Sequence, residues 1–127
     1  MIVADTSALI AIVLRESHAP ACIKALEAET DVLVSAATIA EALIVAGRRR
    51  VADEMARLLD GLTVEIMTVT PAFALRVARA YGQWGKGVHP ASLNFGDCFA
   101  YALAKEHSCP LLFVGDDFSK TDIESVL

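Results

Sequence analysis

The chain has 127 residues, 55% of them hydrophobic, 21% charged and 6% aromatic, with a formal net charge of −5. That composition excludes disorder, and the length suffices for one domain, 1–127, with a core that needs no staples. An acidic balance argues against a protein that coats duplex nucleic acid, though not against a nuclease whose own site is acidic, and no apolar run reaches the ~20 residues that span a bilayer.

Met1 to Ala4 reads as a short buried strand, and Thr6-Ser7 as a cap for a helix over about Ala8 to Leu14. A second helix is expected over about Pro20 to Glu29. Val32-Leu33-Val34 is a second buried strand, with Ser35 capping a helix from about Ala37 to Ala46. Gly47 and the basic run Arg48-Arg49-Arg50 are expected to end that helix, the run being read as a solvated helix end. A further helix covers about Val51 to Leu59 and stops at Gly61. Val64 to Met67 is a third strand, and Thr70-Pro71 start a helix to about Tyr81. Gly82 to Asn94, with three glycines and Pro90, is the one clear loop; its Trp84 is read as capping the core rather than stacking on a base. A helix from Phe95 or Asp97 to His107 and a strand from Leu111 to Val114 complete the pattern, with a fifth strand expected at most near Ile123.

Short apolar strands alternating with helices predict a parallel sheet covered on both faces. Cys22, Cys98 and Cys109 form no close pair and lie among apolar neighbours, so each is read as a small buried hydrophobe. His18, His89 and His107 lack metal-ligand spacing. The N-terminus carries no basic region or cleavage site ahead of its first strand, so a cytoplasmic protein is expected.

Against this apolar background four acids stand in awkward places. Asp5 ends the first strand, Glu41 interrupts an otherwise apolar helix, Asp97 opens another, and Asp116-Asp117 follow the last strand. Each has a bland explanation as a cap, a dipole complement or a solvated turn, and Glu41 resists it most. In parallel α/β sheets ligands bind beyond the carboxyl ends of the strands, and all four acids fall at that edge. Carboxylates gathered there without a basic partner need cations between them, and an oxygen-only ligand set favours Mg2+ or Mn2+. Such ions activate water and stabilise the departing oxygen of a phosphodiester. Ser7, with Thr6 beside it, is a weaker candidate for orienting a ligand carboxylate or metal-bound water, and Asp117 is a weaker candidate still.

At these residues the chain resembles PIN-domain ribonucleases, most closely the VapC type of toxin from type II toxin–antitoxin systems. The resemblance runs through Val3-Ala4-Asp5-Thr6-Ser7-Ala8-Leu9, Ser35 to Glu41, Ser92 to Ala104 and Pro110-Leu111-Leu112-Phe113-Val114-Gly115-Asp116-Asp117-Phe118, in the family's order. Its most specific pieces are Asn94-Phe95-Gly96-Asp97 and the Gly-Asp-Asp-Phe turn. It implies a three-layer α/β/α fold around a parallel sheet of four or five strands, and a magnesium- or manganese-dependent endoribonuclease. Asp5, Glu41, Asp97 and Asp116 would form the acidic site, Asp116 being preferred to Asp117 as the residue after glycine. It also implies a homodimer and a cognate antitoxin that inhibits by lying across the site. The alternative is a catalytically weak PIN-like domain that serves mainly to bind its partner. Receiver domains and haloacid-dehalogenase-type phosphatases fit poorly, because Asp5 stands alone after the first strand and residue 7 is serine.

Overall fold

The computed structural model describes residues 1–127. In chain order the elements are β1 (Ile2–Ala4), α1 (Thr6–Val13), α2 (Ala19–Ala28), β2 (Val32–Ser35), α3 (Ala36–Arg48) and α4 (Ala52–Gly61). They continue with β3 (Val64–Met67), α5 (Pro71–Trp84), α6 (Phe95–Glu106), β4 (Leu111–Leu112) and a 3-10 turn, Asp117–Lys120. The four strands form one parallel sheet in the order β3-β2-β1-β4.

Period-two alternation in these strands sends side chains to two different helical layers. Val3, Leu33 and Leu111 join Phe73, Val77, Phe99 and Leu103 beneath α5 and α6. Ile2, Ala4, Val32, Val34 and Leu112 face the other way, onto Ala8, Cys22 and Leu26 of α1 and α2. A third cluster, Leu9, Ala42, Ala46 and Met55, joins α1, α3 and α4. The expected α/β/α sandwich is therefore present, with both sheet faces covered. Its core relies on small residues: Ala4, Ala8, Ala11, Ala42, Ala46, Ala100 and Ala104 are wholly buried, which lets helices approach the sheet closely.

Several boundaries differ from expectation. Asp5, not Thr6-Ser7, caps α1, and its side chain accepts from the Ser7 amide. Helix α3 passes through Gly47 to Arg48, and the left-handed residue beyond its end is Arg50, at φ 61°. A Cβ at Gly47 would meet nothing within 4 Å, so that glycine is neither a packing necessity nor a stop. Helix α5 likewise continues through Gly82 to Trp84, three residues past Tyr81. The fifth strand reduces to a single bridge, in which Ser125 pairs in parallel with Leu111. Backbone bonds from Leu111 to Glu124 and from Val126 to Leu111 hold that tail to the outer edge of β4. Cys22 and Cys98 are buried as expected, and Cys109 is half-buried. No helix is long and apolar enough to cross a membrane.

Candidate active site

Two strand exits and two helices bring acids to the carboxyl edge of the sheet. Asp5 leaves β1 and caps α1, with its Oδ2 accepting from the Ser7 amide at 3.0 Å and the Ser7 hydroxyl at 2.6 Å. The same Ser7 Oγ accepts from the Val114 amide at 3.0 Å. Ser7 thus ties the first acid to the chain leaving β4. The bland reading of Asp5 as a cap is correct as far as it goes, but a cap does not require 3% exposure.

Glu41 lies six residues into α3, on the turn that faces α1 and α6. Thr6 Oγ1 donates a short bond to Glu41 Oε1, 2.5 Å long. The carboxylate of Glu41 also lies so close to Gly96 that a Cβ there would overlap it. Gly96 is therefore required by close approach: any side chain would expel Glu41 from the first turn of α6, where the helix dipole favours an anion.

Asp97 occupies the third position of α6 in a capping box. Asn94 Oδ1 accepts from the Asp97 amide at 2.8 Å, and Asp97 Oδ2 accepts from the Asn94 amide at 3.0 Å. This holds a 9%-exposed carboxylate in one orientation. The box also explains why Asn94 precedes Asp97 by three residues, a signal legible in the sequence.

The electrostatics mark these acids as a group. Burial pushes Asp97 up to about 7; the Asn94 amide opposes that, and the charges of Asp5, Asp117 and Glu41 add to it. Burial likewise raises Asp5 to about 6, against the bonds from Ser7 and with the charge of Glu41. None of the four ion pairs in the structure involves Asp5, Glu41, Asp97, Asp116 or Asp117. Buried carboxylates without a cationic partner are costly unless a cation joins them. The donor set is entirely oxygen, which fits a hard divalent ion. As folded here, no three acids close into an all-protein cage.

The two acids after β4 separate. Gly115 turns the chain at φ 103°, as its position suggested. Asp116 then caps the 3-10 turn through its backbone: its carbonyl oxygen accepts from the Ser119 amide at 3.1 Å and hydroxyl at 2.6 Å. Both carboxylates are exposed, and the charge of Asp117 is among those that raise Asp97. Phe118 anchors the turn in the core, 2% exposed and 5.1 Å from the Phe113 ring.

The contact between Thr6 and Glu41 had no sequence signal, because it spans 35 residues. Trp84 is half-buried rather than free: its Nε1 donates to the Tyr101 hydroxyl at 2.8 Å and its ring meets His89 edge-on.

Comparison with known proteins gives the family and the fold. The PIN domain family model matches residues 2–124. Ribonuclease VapC42 of Mycobacterium tuberculosis is 41% identical over 125 residues, covering 95% of each chain. Ribonuclease VapC36 of the same organism is 43% identical over 128 residues, covering 96% of this chain and 91% of that one. Among solved structures, the sarcin-ricin-loop-cleaving toxin VapC20 of M. tuberculosis superposes with a TM-score of 0.80 at 17% identity, covering 99% of this chain and 98% of the other. A chain from a Klebsiella pneumoniae toxin–antitoxin complex gives 0.70 at 21% identity, with 96% and 93% coverage.

Proposed function

This chain belongs to the PIN-domain family, in its VapC branch, and on that premise we propose that it is the endoribonuclease toxin of a toxin–antitoxin pair, acting in the cytoplasm as one PIN domain. The observation that carries the reading is the set of carboxylates at the sheet edge, two of them raised toward neutrality by burial and by neighbouring acids, with no ion-pair partner of the protein's own.

Asp5, Glu41 and Asp97 would hold magnesium or manganese, with Asp117 or Asp116 completing the set. The ion would supply an activated water and charge neutralisation at the phosphate. The chain's own groups do the positioning. Ser7 fixes the rotamer of Asp5 and keeps it in register with the exit from β4. Thr6 holds one oxygen of Glu41, and the Asn94 box fixes Asp97. With these donors in place, each acid presents its remaining oxygen capacity to one crevice, and a phosphodiester enters against a pre-set array. Incubating the chain with a panel of structured RNAs in magnesium, in manganese and in chelator tests this directly. Metal-dependent internal cleavage is expected, and its absence across the panel would refute an active nuclease.

The proposed antitoxin contact has a matching surface away from the acids. Ile12, Ile23, Leu26, Leu58 and Leu62 line an open cavity of about 280 Å³ between α1, α2 and α4. An amphipathic helix from the antitoxin would lay its apolar face there, with a following segment reaching the acids. Co-purification from the native operon is expected to recover a small partner. We also infer a homodimer, which light scattering across a concentration series checks.

A further inference from the structure

Phe95 is the most exposed large apolar side chain in the molecule, at 72%, although it adjoins Gly96 and Asp97 at the acid edge. The chain has few aromatics to spend; Phe73 and Phe99 are engaged in the core, Trp84 and Tyr101 in their own cluster, and Tyr81 is only partly exposed, at 38%. Phe95 is not loose. Its ring meets Phe99 nearly perpendicularly, at 84° with centroids 4.9 Å apart. An edge-to-face partner of that kind fixes the ring while leaving at least one of its faces open.

The open side gives onto a cavity of about 440 Å³ between α3 and α6. Ala40, Ile44 and Phe99 supply apolar wall, Glu41 stands among the lining residues, and Arg48 is one of them too. Glu41 and Arg48 are seven residues apart on α3, two turns along one face, about 10 Å. Arg48 takes part in no ion pair. The cavity therefore carries a metal-seeking acid, an aromatic plane with apolar wall, and an unpaired guanidinium. A purely apolar occupant would leave that guanidinium without a partner and Glu41 with only its bond from Thr6. A nucleotide matches all three: its phosphate belongs at the acid-held ion, its base on the ring, and the next phosphate on the arginine.

We propose that this cavity is a nucleobase subsite, in which the base flanking the scissile phosphate stacks on Phe95 and Arg48 receives the phosphate beyond it. The inference rests on the ribonuclease reading of the acid edge and assigns the specificity-determining surface beside it. A neighbouring cavity of about 420 Å³, which Phe95 also lines between α5 and α6, has no charged residue in its wall.

The test uses the full chain with Asp97→Asn as background, so that RNA is not consumed. Two fluorescein-labelled 12-mers are titrated in magnesium and followed by anisotropy: oligouridylate, and an abasic ribose-phosphate chain of equal charge. Oligouridylate should bind about tenfold more tightly than the abasic chain, the worth of one stacked base. Phe95→Ala should bring that ratio to about one, Phe95→Leu should do the same while keeping an apolar side chain, and Phe95→Trp should preserve it. Arg48→Ala should weaken both ligands equally and flatten their salt dependence. A ratio unchanged in Phe95→Ala and Phe95→Leu would overturn the subsite. So would failure of the parent to bind either 12-mer. A shift in oligomeric state on light scattering with the ratio unchanged would reassign Phe95 to a contact between copies of the chain. If the wild-type protein binds oligouridylate through Phe95 but cleaves no RNA, the subsite stands and the nuclease reading falls.

Discussion

Asp97 and Asp122 lie against the same helix, yet their surroundings act on them in opposite directions. Asp97 sits in the first turn of α6, and burial together with the charges of Asp5, Asp117 and Glu41 outweighs the Asn94 amide and leaves it near 7. Asp122 packs against α6 at Tyr101 and Lys105, the latter eight residues on from Asp97, about 12 Å along the axis. Desolvation raises Asp122 as well, but there the Tyr101 hydroxyl at 2.6 Å and the Lys105 ammonium at 3.1 Å offset it and hold the carboxyl below its ordinary value. Tyr101 in turn accepts from Trp84, so three elements are fastened at one point. The chain can satisfy a carboxylate when structure demands it. At the acid edge it supplies acids and withholds bases, which is the arrangement of a site awaiting a cation.

The largest test of that contrast is to remove the charge that lacks a partner. Asp97→Asn and Asp5→Asn should lower magnesium-dependent cleavage by about a thousandfold or more, the scale on which metal-held charge stabilisation operates. Both variants should fold, and in chelator at neutral pH both should melt higher than wild type, because crowded charge is relieved. Circular dichroism melts beside a gel-based cleavage assay decide it. Wild-type cleavage by Asp97→Asn would dissolve the distinction between the two ends of α6.

The same contrast has a pH signature. A carboxyl whose folded value lies above its unfolded value binds its proton more tightly in the folded state, so its stability contribution is present below the unfolded value and lost as pH rises through the folded one. Asp5 moves from 3.8 to about 6 and Asp97 from 3.8 to about 7. Metal-free protein should therefore lose stability as pH climbs from about 4 to about 7, measured by denaturant titration in chelator. Saturating magnesium should reduce or reverse that slope by binding the ionised form. Asp122 has the opposite sign: its contribution is lost only as pH falls below the ordinary aspartate range.

Breaking the satisfied end should leave catalysis alone. Tyr101→Phe removes the donor to Asp122 and the acceptor for Trp84, at a cost of about 1–3 kcal/mol in stability. Cleavage per folded molecule should stay within about twofold of wild type, since the hydroxyl serves the tail and not the acids. A large loss of turnover at full folding would mean that the clasp and the site are coupled through α6.

How much of this was legible in the sequence follows from the range of each interaction. Local signals carried the layer order, the cap at Ser35, the strand at Val64–Met67 and the clustering of acids at one edge, because apolar period and cap chemistry are written within a few residues. Gly47 and Gly82 misled as helix stops, since helix packing on both sides holds the chain helical through an exposed glycine. The bond from Thr6 to Glu41, the demand of Glu41 on Gly96, and the Trp84–Tyr101–Asp122 clasp join residues far apart in the chain and leave no periodic trace. Phe95 read as a helix start and as part of the Asn94-Phe95-Gly96-Asp97 block, with no role of its own; its exposure is a property of the assembled surface.

The smallest effect separates neighbours. Placing the first acid after Gly115 at the site is the natural reading of a strand that ends in a sharp turn. In the folded chain both residues are exposed, and Asp116 spends its backbone carbonyl on Ser119. Asp117, one position on at the start of the 3-10 turn, has a charge that helps raise Asp97. Asp117→Asn should therefore lower cleavage about tenfold, less than Asp5→Asn, because water can replace one carboxylate in a magnesium shell. Asp116→Asn should leave cleavage within about twofold, since its backbone bonds survive the change. A second readout distinguishes proximity from ligation. Removing the Asp117 charge takes away one of the influences holding Asp97 up, so the pH at which metal-free protein loses stability should move down in Asp117→Asn and stay in place in Asp116→Asn. The reverse pattern in both cleavage and pH would restore Asp116 as the fourth acid and make the charge of Asp117 incidental to the site.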